Sequence, residues 1–141
     1  AFRQNGPLVI QDGRINPRIH NNSPDDWGYT IVDYSPTVRS GIGLSPDNQT
    51  LYYFCGPGLS METLARAMMA AGAANAMQLD INGYWVLFIR IEPSTTGLAP
   101  EPLFPQWMSN VNRYLLPSAR DFFYITSGEE SHQNGPGEGI P

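Results

Sequence analysis

Gly72-Ala73-Ala74-Asn75-Ala76-Met77-Gln78-Leu79-Asp80-Ile81-Asn82-Gly83-Tyr84-Trp85 decides the fold, because it reads as a helix end, a short apolar strand, a turn and the start of a second strand. Glycine readily takes the left-handed backbone that closes a helix, so Gly72 marks the stop. The apolar run that follows ends at Asp80, and Asn82-Gly83 is a turn signal. One carboxylate therefore sits where a strand gives way to a turn, a position at which folds commonly place chemistry.

Upstream of Gly72, the Ser60 hydroxyl is suited to cap a helix, and Glu62 in the first turn suits the positive helix end. Met61, Leu64, Ala65, Met68 and Ala71 recur at helical spacing and form a face that packs on a sheet, which reads as core rather than as a ligand box. Before the helix come two strands, Ser40 to Leu44 and Thr50 to Cys55, joined by Ser45-Pro46-Asp47-Asn48-Gln49. Leu8-Val9-Ile10-Gln11-Asp12-Gly13-Arg14-Ile15 is a hairpin signal, since Asp-Gly supplies the positive backbone angles of a two-residue turn. Residues 16–37, punctuated by Pro17, Pro24 and Pro36, read as a long surface loop, with Tyr29-Thr30-Ile31-Val32 as a short strand inside it.

Downstream, Tyr84 to Ile91 has the strongest strand composition in the chain. The prolines of residues 93–105 predict an extended loop, residues 107–116 a helical turn, and Asp121-Phe122-Phe123-Tyr124-Ile125 a last strand. No internal repeat is visible. The reading is an α+β domain over residues 1–126, with one helix packed on a mixed, mainly antiparallel sheet, followed by a Gly/Pro/Glu-rich tail over residues 127–141. The tail cannot build a core, so any order in it must be borrowed from a surface.

At 141 residues the chain is long enough for one domain with its own core. Thirteen acidic against eight basic residues leave a net charge of -5, which argues against sequence-independent nucleic-acid binding, since that needs a basic surface to displace counterions. All eight basic residues are arginine, the side chain fitted to bidentate contacts with phosphate or carboxylate. Cys55 is the only cysteine, which excludes an intrachain disulfide and a multi-cysteine metal site. It reads as a small apolar strand residue rather than a nucleophile, because His20 and His132 lie in distant loops. No run approaches the roughly 20 apolar residues of a membrane helix. The chain begins Ala1-Phe2-Arg3 without Met, which leaves room for an upstream segment.

Three segments together resemble one family. Arg39-Ser40-Gly41-Ile42-Gly43-Leu44, Gly58-Leu59-Ser60-Met61-Glu62-Thr63-Leu64-Ala65 and Ala76-Met77-Gln78-Leu79-Asp80 are similar, in order and spacing, to the R-T-A-x-G, G-L-T-x-x-E-L-A and A-x-N-L-D-G-G-G-S motifs of the phosphodiester glycosidases. The segment from Gly6 to Ile15 resembles what precedes the arginine strand. Arg120-Asp121-Phe122-Phe123 resembles the ending of a bacterial branch whose central motif is L-D-I-N. The likeness spans residues 5–125 and implies the C-terminal part of a larger domain. An apolar sheet lacking its N-terminal complement is then expected to associate with an upstream fragment or with copies of itself. The departure from the family follows Asp80, where Ile81-Asn82-Gly83-Tyr84-Trp85 replaces the glycine-rich turn and keeps only Gly83. Isoleucine and tryptophan fill space that three glycines leave open.

The resemblance implies hydrolysis of a sugar 1-phosphodiester or a related cell-surface glycan bond, with Asp80 at the anomeric carbon and Arg39 clamping the phosphate. It further implies Asn82, Gly83 and Trp85 as substrate-binding residues, a carbohydrate or sugar phosphate as partner, and an extracellular or cell-envelope location. Each residue also has a plainer role: Asp80 in an Asx-turn, Asn82 in the turn with Gly83, Arg39 in an ion pair with an acid such as Asp33, and Asp25-Asp26 in solvated turn chemistry rather than metal ligation. No metal and no cofactor is assigned. Two further classes stand beside the enzyme: a catalytically inactive structural or assembly subunit, and a glycan-binding module in which Trp27, Tyr29, Tyr84 and Trp85 stack on sugar rings.

Overall fold

The computed structural model describes residues 6–21, 23–30, 36–117 and 122–126. The hairpin signal at Asp12-Gly13 forms a hairpin: β1 (Leu8–Gln11) pairs antiparallel with β2 (Arg14–Ile15), in the register Ile10 opposite Ile15. Asp12 at φ 49° and Gly13 at φ 72° give the two positive angles of a turn whose twist matches that of the strands.

β3 (Thr37–Leu44) and β4 (Leu51–Leu59) form the long central ladder, both longer than the sequence reading, and β5 (Asn75–Gln78) lies on the other side of β3. The sheet has five strands in the order β2-β1-β5-β3-β4. Every pairing between its described strands is antiparallel, so the expected α+β class holds.

α2 (Met61–Ala70) covers one face of this sheet and buries Met61, Leu64, Ala65 and Met68, the stripe expected from helical spacing. Its N-terminus is closed by a reciprocal cap: Thr63 N donates to Ser60 Oγ at 3.1 Å while Ser60 N donates to Thr63 Oγ1 at 2.8 Å. Glu62, expected to favour the helix end, also pairs with Arg66 at 2.6 Å one turn on. Gly72 at φ 94° follows the C-terminal turn, as its position predicts.

Gly41 and Gly43 on β3 let the helix and the neighbouring strand approach. A Cβ at Gly41 would stand 2.9 Å from the Met77 carbonyl oxygen and 2.0 Å from Met68 Cε. The methionine tip can swing away, but the carbonyl belongs to the central strand. Gly41→Ala is therefore expected to destabilise the domain by about 1–3 kcal/mol, measured as a shift of the denaturant midpoint at unchanged slope. An unchanged midpoint would mean that β3 and β5 shift apart at no cost.

The face away from α2 carries Ser40, Ile42, Tyr53 and Cys55, which alternate with helix-facing Gly41 and Phe54. It is covered by chain beyond residue 82: Phe88 meets the Tyr53 ring at 5.0 Å, and Val86, Leu87 and Met108 are buried.

The expected strand from Tyr84 to Ile91 forms only at its end. β6 (Ile89–Ser94) pairs with β7 (Gly97–Pro102) in a separate hairpin, while residues 84–88 wrap irregularly against the sheet. The expected proline loop of residues 93–105 is thus largely strand. Pro93, Pro100 and Pro102 occupy alternate rungs, opposite Leu98, Ile91 and Ile89, and rungs of one such set need no N–H from the strand.

Residues 122–126 carry no regular structure where a last strand was expected, and the loop of residues 16–37 contains a 3-10 turn (Pro17–Asn21) and the short helix α1 (Pro24–Trp27). Tyr29 and Thr30 are not in a strand, whereas Ile31, Val32, Asp33, Asp121, the 127–141 tail and His132 lie outside the described residues. No described helix is long and apolar enough to cross a membrane.

Candidate functional site

β3 and β5 are antiparallel neighbours, so the N-terminal end of one and the C-terminal end of the other share a rim. Their ladder is regular from Leu44 opposite Asn75 to Gly41 opposite Gln78. There it breaks. Leu79 N donates to Ser40 O at 2.8 Å, while Ser40 N and Ser40 Oγ both donate to Asp80 O, at 3.0 and 2.9 Å. Two residues thus face one, which is a bulge, and a bulge re-aims the side chain that follows it. Asp80 is exposed, and among the described residues its carboxylate makes no hydrogen bond or ion pair. An Asx-turn is therefore not its role here.

Arg39 lies on the same rim but points inward, toward the α2 side. It is 3% exposed. Its Nε donates to Leu59 O at 3.0 Å, and its Nη1 donates to Gln78 Oε1 at 2.6 Å and Trp27 O at 3.4 Å. Gln78 Nε2 donates to the same Trp27 carbonyl at 2.9 Å. Burial pulls the guanidinium below its ordinary pKa, and that range is high enough for the charge to persist. The fork expected to clamp a phosphate from the surface instead ties β3, β4, β5 and α1 together. No described carboxylate pairs with it, and Asp33 is outside the described residues.

The turn after Asp80 uses Asn82 locally: Asn82 Oδ1 accepts from Tyr84 N at 2.9 Å, and Asn82 O accepts from Trp85 N at 2.8 Å. The plainer reading of Asn82 is thus the one the geometry carries. Gly83 packs over Val38, where a Cβ would stand 3.3 Å from Val38 Cγ2. The Trp85 ring is in contact with two neighbours on the rim. The Arg113 guanidinium lies 4.1 Å from its ring centre, and Tyr84 meets it edge-on at 4.7 Å. Tyr84 itself is 61% exposed.

Arg113 and Tyr114 come from the 3-10 turn Arg113–Leu115, the helical turn expected in residues 107–116. Tyr114 Oη donates to Leu87 O at 3.3 Å. Its phenol is pushed above the ordinary range by burial, with the Asp80 carboxylate adding to the rise and Arg113 opposing it. The rim therefore gathers Asp80, Tyr84, Trp85, Arg113 and Tyr114. Sequence reasoning singled out Asp80 and Trp85 and named Tyr84 as a stacking candidate, but missed Gln78, Arg113 and Tyr114. A glutamine within the apolar run before Asp80 was a readable sign of a buried polar partner. Nothing local to Arg113 marked it.

Other candidates separate from this rim. Trp27 is 1% exposed, with its indole N–H on Arg18 O, so it is core rather than a sugar platform. Asp26 pairs with Arg18 and Asp25 accepts from Tyr29 Oη, and no group of potential metal ligands exists among the described residues. Burial pushes the Cys55 thiol up, opposite to what a nucleophile needs.

The sequence model of the phosphodiester glycosidase family matches residues 1–80. The matched span ends on Asp80, so the altered turn lies beyond it. No curated protein matches the chain.

Proposed function

We propose that this chain, which belongs to the phosphodiester glycosidase family, hydrolyses a sugar held through its anomeric carbon to a phosphodiester, with Asp80 as the carboxylate that meets that carbon. The observation that carries the reading is the bulge at Ser40, which turns an unengaged carboxylate outward where the central strands end.

The chemistry suits one carboxylate. Ordinary glycosidases need a second one to protonate the departing oxygen. Here the leaving group is a phosphate monoester whose second pKa is about 6, so it departs near neutral pH with little help. Water supplies OH to the anomeric carbon, the bond between that carbon and the phosphate oxygen breaks, its electron pair leaves with the phosphate, and the remaining proton of the water passes to the phosphate or to solvent. Asp80 stabilises positive charge at the anomeric carbon or attacks it. Arg39 supports the site from beneath by fixing β5 to β3, and its buried charge adds to the rim's attraction for an anion.

Hydrolysis of a hexose 1-phosphate methyl diester in oxygen-18 water tests this. The expected products are sugar labelled at its anomeric oxygen and unlabelled methyl phosphate. Label in the phosphate would show cleavage at phosphorus and overturn the reading. Binding without turnover would favour the glycan-binding alternative, for which the exposed Tyr84 ring is the supporting observation.

A further inference from the structure

The inward orientation of Arg39 leaves the rim without its expected phosphate ligand, and a second arginine stands at the rim in a form suited to the task. Arg113 is half-buried, and its guanidinium lies over the faces of Trp85 and Tyr84, 4.1 and 6.0 Å from the ring centres. Contact with aromatic faces restrains a guanidinium while leaving its N–H donors available to an anion. Among the described residues, the Arg113 guanidinium makes no hydrogen bond or ion pair. A held fork with unspent donors is the geometry that takes a phosphate through two parallel hydrogen bonds.

Placement supports this. Trp85 closes the turn that begins at Asp80, through the Trp85 N to Asn82 O hydrogen bond of 2.8 Å, so the carboxylate and the stacked arginine flank the same turn. Tyr114, next to Arg113 in the chain, is fixed to Leu87 O at 3.3 Å, which anchors the 3-10 turn to the chain that follows Trp85. The protein carries a net charge of -5, so an anion is not drawn by the molecule as a whole and needs a local cation.

We propose that Arg113 binds the phosphate of the substrate, held in place by Trp85, while Asp80 faces the sugar. The assignment rests on the reading of Asp80 as the reacting carboxylate. It also accounts for the replaced turn: Trp85 fills the space that glycines would leave and serves as the platform for the arginine.

The test is titration of the full chain with a hexose 1-phosphate and, separately, with inorganic phosphate, followed by calorimetry and tryptophan fluorescence. Binding of the sugar phosphate is expected to weaken about 10-fold or more in Arg113→Ala and to be partly restored in Arg113→Lys, which keeps charge but not the fork. Arg66→Ala, which removes an exposed cation from α2, is expected to leave binding unchanged. Equal loss in Arg66→Ala, unchanged binding in Arg113→Ala, or no binding by the unaltered chain would each overturn the assignment. Binding of inorganic phosphate alone, without the sugar phosphate, would overturn it as well. Because the readout is binding, Arg113-dependent affinity without hydrolysis supports Arg113 while removing the hydrolytic reading of Asp80.

Discussion

Replacing Arg39 by methionine is expected to cost the domain about 3 kcal/mol or more of stability, well before any effect on phosphate binding is visible. The side chain is 3% exposed and donates to Leu59 O, Gln78 Oε1 and Trp27 O. Methionine fills similar length but donates nothing, so Leu59 O and Gln78 Oε1 lose a buried charged donor, while Trp27 O keeps Gln78 Nε2. Loss of a hydrogen bond from a charged donor costs about 1.5–3 kcal/mol. Arg39→Lys keeps the charge, but its single nitrogen reaches these acceptors less well than a fork, so an intermediate loss is expected. Denaturant unfolding of the three proteins measures this, and a Met variant as stable as the parent would refute the tie. Phosphate affinity in an Arg39 variant is interpretable only where the variant is shown folded.

That arginine shows what a strand sequence reveals and what it withholds. The pattern around Arg39-Ser40-Gly41-Ile42-Gly43 marked a strand, but the close approach of Met68 and the Met77 carbonyl at Gly41 emerged only from the packing. Ser60, Gly72 and the Asp12-Gly13 turn were legible because each acts through its own few neighbours. The direction of Arg39 was not, because it depends on Gln78 and Trp27, 39 and 12 residues away. Strand composition misled from Tyr84 to Ile91: aromatic and branched side chains suit a pleated surface, but they equally suit a segment laid across a sheet, and here Phe88 packs on Tyr53.

The candidate site divides the same way. Asp80 was visible as the carboxylate before a turn. Its outward aim was not, since it arises from a bulge in pairing with Ser40, and a bulge is a property of two strands. Arg113 reaches Trp85 from 28 residues downstream, through a 3-10 turn that no pattern in its own sequence ties to the rim.

Asp80→Asn is expected to lower turnover of a sugar 1-phosphodiester by about 10²–10⁴-fold while leaving stability within about 0.5 kcal/mol of the parent. The stability half follows from exposure: the carboxylate makes no hydrogen bond or ion pair among the described residues, and the backbone carbonyl that holds Ser40 is unaffected by the change. The activity half follows from charge. Asparagine keeps the shape and the outward aim set by the bulge, but it can neither attack an anomeric carbon nor balance positive charge there. Binding of a hexose 1-phosphate should persist in Asp80→Asn or tighten, since a negative charge beside the phosphate is gone. Turnover and binding measured on the same folded protein separate the two halves. Turnover that survives in Asp80→Asn would move the chemistry to another carboxylate, and a loss of fold would assign Asp80 to holding the rim.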